Sequence, residues 1–123
     1  MKIAISSTGK DITSQVDVRF GRCPYFIIVD IEDKKVKNKK IVKNIAMAQG
    51  GGAGISAAEI VGNEKVDAVI TVNMGPRAFD VLRQLGIKIY QSQGTVEGVI
   101  QKFINGKLEE IKAPTGPKFL GMN

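Results

Sequence analysis

The apolar residues of this 123-residue chain change their spacing part-way along it, and that change constrains the fold more than any other feature. Up to Val42 they come in short runs rich in β-branched and aromatic residues: Lys2 to Ser6 (KIAIS), Tyr25 to Ile31 (YFIIVDI) and Val36 to Val42. Polar or turn-forming residues separate the runs, so each reads as a strand. Beyond Asn44 helical spacing alternates with strands. Ser56 and Glu59 form an S-x-x-E box expected to cap a short helix with Ile55, Ala58 and Ile60 inside, its boundary open to a shift of two or three residues toward the N-terminus. VDAVITV, Val66 to Val72, is the apolar run that a parallel strand buried on both faces requires. Pro76 suits a first helical position and opens a stripe of Phe79, Leu82 and Leu85 that stops at Gly86. Ile87 to Tyr90 is a further strand. Thr95 then caps a last helix with Val96, Val99, Ile100 and Phe103 inside, ended by Asn105-Gly106.

The order is therefore β-β-β-α-β-α-β-α, an α/β chain. Its first three strands form an antiparallel meander, and two βα crossovers, right-handed in nearly all proteins, make the later strands parallel. This predicts a mixed five-stranded sheet in a ribonuclease H-like, three-layer fold. One domain is expected over residues 1–112, followed by a flexible C-terminal tail over 113–123.

Lys+Arg 18 against Asp+Glu 12 gives 18 − 12 = +6, but the excess is local. Six lysines and no acid lie between Lys34 and Lys43, leaving 12 basic and 12 acidic residues elsewhere. On an edge strand such lysines discourage pairing with other chains, and a charge of this origin is not a chain-wide nucleic-acid signature. The chain has no His and one Cys, which excludes an internal disulfide and a Cys₄ zinc or iron–sulfur site. No apolar run approaches the ~18–20 residues of a membrane span, and the N-terminus lacks a signal-peptide pattern. A soluble, cytoplasmic protein without a membrane partner is expected, as a monomer or weak homodimer.

Strand directions gather the unusual residues. If the first strand points up, Ser7 to Pro24 lies at the top, the second strand descends, and the third rises to the glycine-rich Gln49 to Gly54 loop. Asn73-Met74-Gly75 and Ser92 to Thr95 follow parallel strands and end at the same edge. Ligands of open α/β sheets favour this place, where helix N-termini and backbone N–H groups face a crevice. The candidate binding residues are Arg19, Phe20, Gly21, Arg22 and Cys23, then Gly51, Gly52 and Gly54, then Asn73, Met74, Gly75, Pro76 and Arg77.

Two readings stand for each motif. Gly50 to Gly54 is a connector or an anion cradle, since it lacks the GK[ST] of a P-loop. N-M-G-P is a turn leading to Pro at a first helical position, or a set of amides aimed at an anion. Cys23 is a packed thiol, or, between Arg19, Arg22 and Pro24 in a loop, a thiolate and metal ligand.

These segments resemble the dinitrogenase iron-molybdenum cofactor biosynthesis family, the NifX-like group that includes the C-terminal domain of NifB. The resemblance rests on MKIAIS, VDVRFGRCPYFIIVDIE, GGGAGISAAEIV, VDAVITVNMGPRAFDVLRQLGIKIY and GTVEGVIQKFINGKL, which span Met1 to about Ile111. It implies a ribonuclease H-like domain that binds or carries a metal–sulfur cluster, such as the iron-molybdenum cofactor or a precursor, without catalysis. Cluster donor or acceptor proteins would then be its partners. Arg19 to Cys23 match the family's most distinctive loop, and Asn73, Gly75 and Pro76 its second. Unlike members with histidines in a tail or loop, this chain has none. A preassembled cluster is anionic and brings most of its own ligands, so arginines, amides and one thiolate could hold it, whereas a cluster built on the chain needs about four thiolates.

Three other functions compete for the same residues or charges. A ribonuclease H-like nuclease needs clustered carboxylates for two metal ions, but KIAIS has none, and Asp30, Asp67 and Asp80 share no obvious edge. A small-anion or nucleotide binding module without metal uses the same glycines and arginines. Nucleic-acid binding through Lys34 to Lys43 lacks the interleaved aromatics of stacking platforms.

Overall fold

The computed structural model describes residues 1–115. Five strands form one mixed open sheet: β1 (Lys2–Ser7), β2 (Tyr25–Glu32), β3 (Lys35–Lys43), β4 (Ala68–Thr71) and β5 (Lys88–Gln91), in the spatial order β3-β2-β1-β4-β5. β1 pairs antiparallel with β2 and parallel with β4, β2 pairs antiparallel with β3, and β4 pairs parallel with β5. The three helices are α1 (Ala53–Asn63), α2 (Pro76–Gln84) and α3 (Val96–Ile104), with a single 3₁₀ turn at Ile45–Ala48.

Alternation along the strands divides the core between the two faces. Ala4, Phe26, Ile28, Val69 and Ile89 pack beneath α1 and α2 with Ala57, Val61, Phe79 and Leu82. Ile3, Ile5, Ile27, Val29 and Ile70 face α3 through Val96, Val99 and Ile100. β4 is buried along its whole length, as a parallel strand covered on both faces must be. The lysine-rich β3 is an outer strand and is exposed along most of its length.

Three helical details differ from the sequence reading. α1 begins at Ala53 with Gly52 as N-cap, so Ser56 lies inside the helix, donates its amide to the Gly52 carbonyl at 3.1 Å, and caps nothing. Gly52 adopts φ 74°, a left-handed turn that only glycine enters at little cost, and this places the start earlier than the S-x-x-E box. The buried face of α1 is Ala53, Ala57, Ala58 and Val61, while Ile55 and Ile60 are half-buried at its margins. Leu85 ends α2 and is exposed; Ala78, Phe79 and Leu82 make the inner stripe.

The tail also differs where it can be followed. Thr115 donates its amide to the Met74 carbonyl at 2.8 Å, and its hydroxyl accepts the Met74 amide at 3.0 Å. The chain is thus held to the loop after β4 beyond the expected boundary at residue 112. The rest of the expected tail, 116–123, lies outside the described residues. Among the described residues no helix is long and apolar enough to cross a membrane.

Candidate functional site

The 17 residues between β1 and β2 do not span freely over the top edge; backbone hydrogen bonds tie them into it. Val16 bridges Ser7, Gln15 bridges Thr95, and Arg19 bridges Asn73. Phe20 donates its amide to the Asn73 carbonyl at 3.2 Å, and the Asn73 amide donates to the Val18 carbonyl at 3.0 Å. The Arg19–Cys23 loop and the Asn73–Pro76 loop therefore lie side by side.

Glycines bring α1 into the same place. A Cβ on Gly21 would stand 3.0 Å from the Gly54 Cα, and a Cβ on Gly54 would stand 3.4 Å from the Ala78 Cβ. The loop thus touches the first turn of α1, which touches the first turn of α2. Gly50 and Gly51 have open space around them.

Asn44, absent from the sequence-derived candidates, holds the loop from below. It is fully buried; Nδ2 donates to the carbonyls of Cys23 at 2.8 Å and Gly21 at 3.2 Å, while Oδ1 accepts the Ala46 amide at 3.1 Å. One side chain thereby closes the loop against the 3₁₀ turn. Its signal in the sequence was only that of a polar residue ending an apolar strand.

Cys23 does not offer the thiolate expected of it. It has no exposure, and Sγ donates to the Phe20 carbonyl at 3.3 Å. Burial first, and then the nearby Asp17 carboxylate, push the thiol up to about 12, so it is protonated near neutral pH. The arginines that were to favour the thiolate point elsewhere. Arg22 Nη1 donates to the carbonyls of Met47, at 2.9 Å, and Gln49, while Arg19 Nε stands 3.8 Å from Asp17 Oδ1. Phe20 and Met74 are also core side chains, Phe20 stacking tilted on Phe26 at 5.2 Å. These three residues shape the site from beneath; their side chains do not face it.

What remains at the surface is a set of backbone amides and cations. Neither α1 nor α2 has a side-chain cap, and neither has an acid in its first turn. α2 instead carries the exposed Arg77 there, a cation where the helix dipole favours an anion. α3 is the internal contrast: Thr95 accepts the Gly98 amide at 3.0 Å, and Glu97 sits in the first turn. Between the β1–β2 loop and the segment before α3, a cleft of about 580 Å³ is lined by Thr8, Gln15, Asp17, Arg19, Gln93 and Gly94 among others. Asp17 is fixed from behind by Ser6 Oγ, which donates to the Asp17 carbonyl at 2.9 Å and pairs with the Thr71 hydroxyl at 2.8 Å.

Among the described residues no three His, Cys, Asp or Glu side chains lie together as a ligand set for a metal ion. The arrangement suits a ligand with its own negative charge, met by adjacent uncapped helix starts and arginines.

Comparison with known proteins gives matches along most of the chain. The family model described as dinitrogenase iron-molybdenum cofactor matches residues 1–106. An uncharacterized protein of Methanocaldococcus jannaschii is 38% identical over 113 residues, covering 91% of this chain and 92% of its own. The apo form of the orange protein from Desulfovibrio gigas superposes with a TM-score of 0.86 at 31% identity, over 94% of this chain and 96% of that one. A candidate NifB protein from Thermotoga gives 0.80 at 37% identity, covering 94% and 97%.

Proposed function

Since the chain belongs to the dinitrogenase iron-molybdenum cofactor family, we propose that it binds and carries an anionic metal–sulfur cluster or cluster precursor as cargo, without catalysing a reaction. The observation that supports this most is the contact of two uncapped helix starts, Ala53-Gly54 and Pro76-Arg77-Ala78, beside the Arg19–Cys23 loop. Gly51, Gly52, Gly54 and Gly75 supply backbone without bulk, Asn73 ties the loop to the same edge through Val18 and Phe20, and Arg77, in no salt bridge among the described residues, supplies positive charge. Arg19 and Arg22 frame the loop. Cys23 would have to leave the core to become a ligand, so the cargo is assigned to amides and arginines. Proteins that donate or accept clusters are the partners this role requires.

We further propose that the domain is ribonuclease H-like, a reading supported by the spatial order β3-β2-β1-β4-β5 with two helices on one face and one on the other.

A second reading, a small phosphate- or carboxylate-bearing ligand without metal, draws support from the polar cleft at Asp17, Arg19 and Gln93. One experiment separates the two. The protein is incubated anaerobically with iron, molybdenum or copper salts plus sulfide, desalted, and analysed for metal and absorbance, as wild type, Cys23→Ser and Arg77→Glu. Retained chromophore in wild type and Cys23→Ser with loss in Arg77→Glu is expected. No retained chromophore in any of them, with thermal stabilisation by phosphorylated metabolites, would replace the cluster reading by the second one. Loss in a folded Cys23→Ser would move the site to the thiol.

A further inference from the structure

The open edge of β3 carries an interaction surface separate from the cluster site. β3 ends the sheet and pairs only with β2, so one row of its backbone N–H and C=O groups has no strand to bond. Next to this edge, over the α3-facing side of β2 and β3, lies a groove of about 500 Å³. Lys34, Lys35, Lys37 and Lys39 line the strand side, and Glu97 is the one carboxylate among the groove's described lining residues. Its floor holds Val29 and Ile100, both buried, and Val36 adds an apolar side chain that is 43% exposed. Among the described residues none of those four lysines lies within 4.0 Å of a carboxylate, whereas neighbouring Lys40 pairs with Glu64 at 2.9 Å.

Uncompensated lysines on an edge repel a second copy of the same edge, and they attract a strand of opposite charge. The apolar floor favours protein side chains over phosphates, and no aromatic residue lines the groove to stack a base. We propose that β3 takes up an extended acidic segment of another protein as a sixth strand, with carboxylates against Lys35, Lys37 and Lys39 and apolar side chains over Val36. Backbone pairing supplies affinity, and the lysines select for charge.

The test uses the full chain and a labelled short peptide of alternating Glu and Val with blocked ends, followed by fluorescence anisotropy and amide hydrogen exchange. Binding at low salt, about tenfold or more weaker at high salt, with slowed exchange of β3 amides, is expected. Changing Lys35, Lys37 and Lys39 together to Gln should reduce binding to the level of a Gln–Val control peptide. Equal binding of the Gln–Val peptide to wild type, or β3 amides whose exchange does not change, would overturn the proposal. Tighter binding of an oligothymidylate of equal charge would also overturn it, by assigning the edge to nucleic acid.

Discussion

Gly21 and Gly54 meet backbone to backbone: a Cβ on Gly21 would lie 3.0 Å from the Gly54 Cα and 3.1 Å from its nitrogen. The loop between β1 and β2 and the start of α1 are thus fitted to each other at a distance that one methyl group disrupts. Backbone cannot swing aside as a flexible side chain can, so Gly21→Ala should destabilise by about 1–3 kcal/mol. Gly50→Ala and Gly51→Ala, with open space around them, should stay within about 0.5 kcal/mol of wild type. Urea denaturation of the three variants tests the fit; equal midpoints for all three would refute it.

Asn44→Ala removes the groups that satisfy two loop carbonyls and one 3₁₀-turn amide. A loss of about 3 kcal/mol is expected, with faster exchange of the Ala46 amide. A loss below about 0.5 kcal/mol would mean that water replaces the side chain.

Arg77→Glu should move stability and binding in opposite directions. A carboxylate in the first turn of α2 complements the helix dipole, so thermal stability should rise by about 1 kcal/mol. The same change takes positive charge from the proposed anion site, so retained metal–sulfur chromophore should fall. A variant that is both more stable and fully loaded would show that Arg77 does not face the cargo.

The Cys23 thiol predicts a specific alkaline weakness. Its ordinary value near 9 rises to about 12 in the folded protein, so the native state binds this proton more tightly than the unfolded state does. Its contribution to stability is complete below about pH 9 and declines as pH rises toward 12. Wild type should therefore lose stability relative to Cys23→Ala between about pH 9 and 11, and native protein should resist iodoacetamide at neutral pH until it unfolds. Rapid native alkylation would contradict the burial.

Thr115→Ala should cost about 1 kcal/mol and speed exchange of the Met74 amide, which its hydroxyl accepts at 3.0 Å. Unchanged exchange would show that the Thr115 hydroxyl does not protect the loop after β4.

Local chemistry alone settled much of this molecule. The element order followed from apolar spacing, Pro76 and Thr95 marked two helix starts, and strand direction brought Arg19, Gly54 and Asn73 to one edge before any contact was known. Those features depend on neighbours within a few residues, or on the rule that crossover strands run parallel. Other features required partners distant in the chain. Ser56 and Glu59 have the form of a cap, yet Gly52 turns left-handed four residues ahead of Ser56 and starts the helix there. Arg19 and Arg22 stand just before Cys23 in sequence, yet their guanidinium groups turn to Asp17, Met47 and Gln49. Cys23 and Phe20 point inward because β2, the 3₁₀ turn and α1 close around them, and Asn44 becomes a clamp only once two carbonyls some twenty residues earlier arrive above it. Sequence determined which segments reach the edge; tertiary structure decided which side chains face it, because burial and hydrogen bonding are set by what packs from elsewhere in the chain.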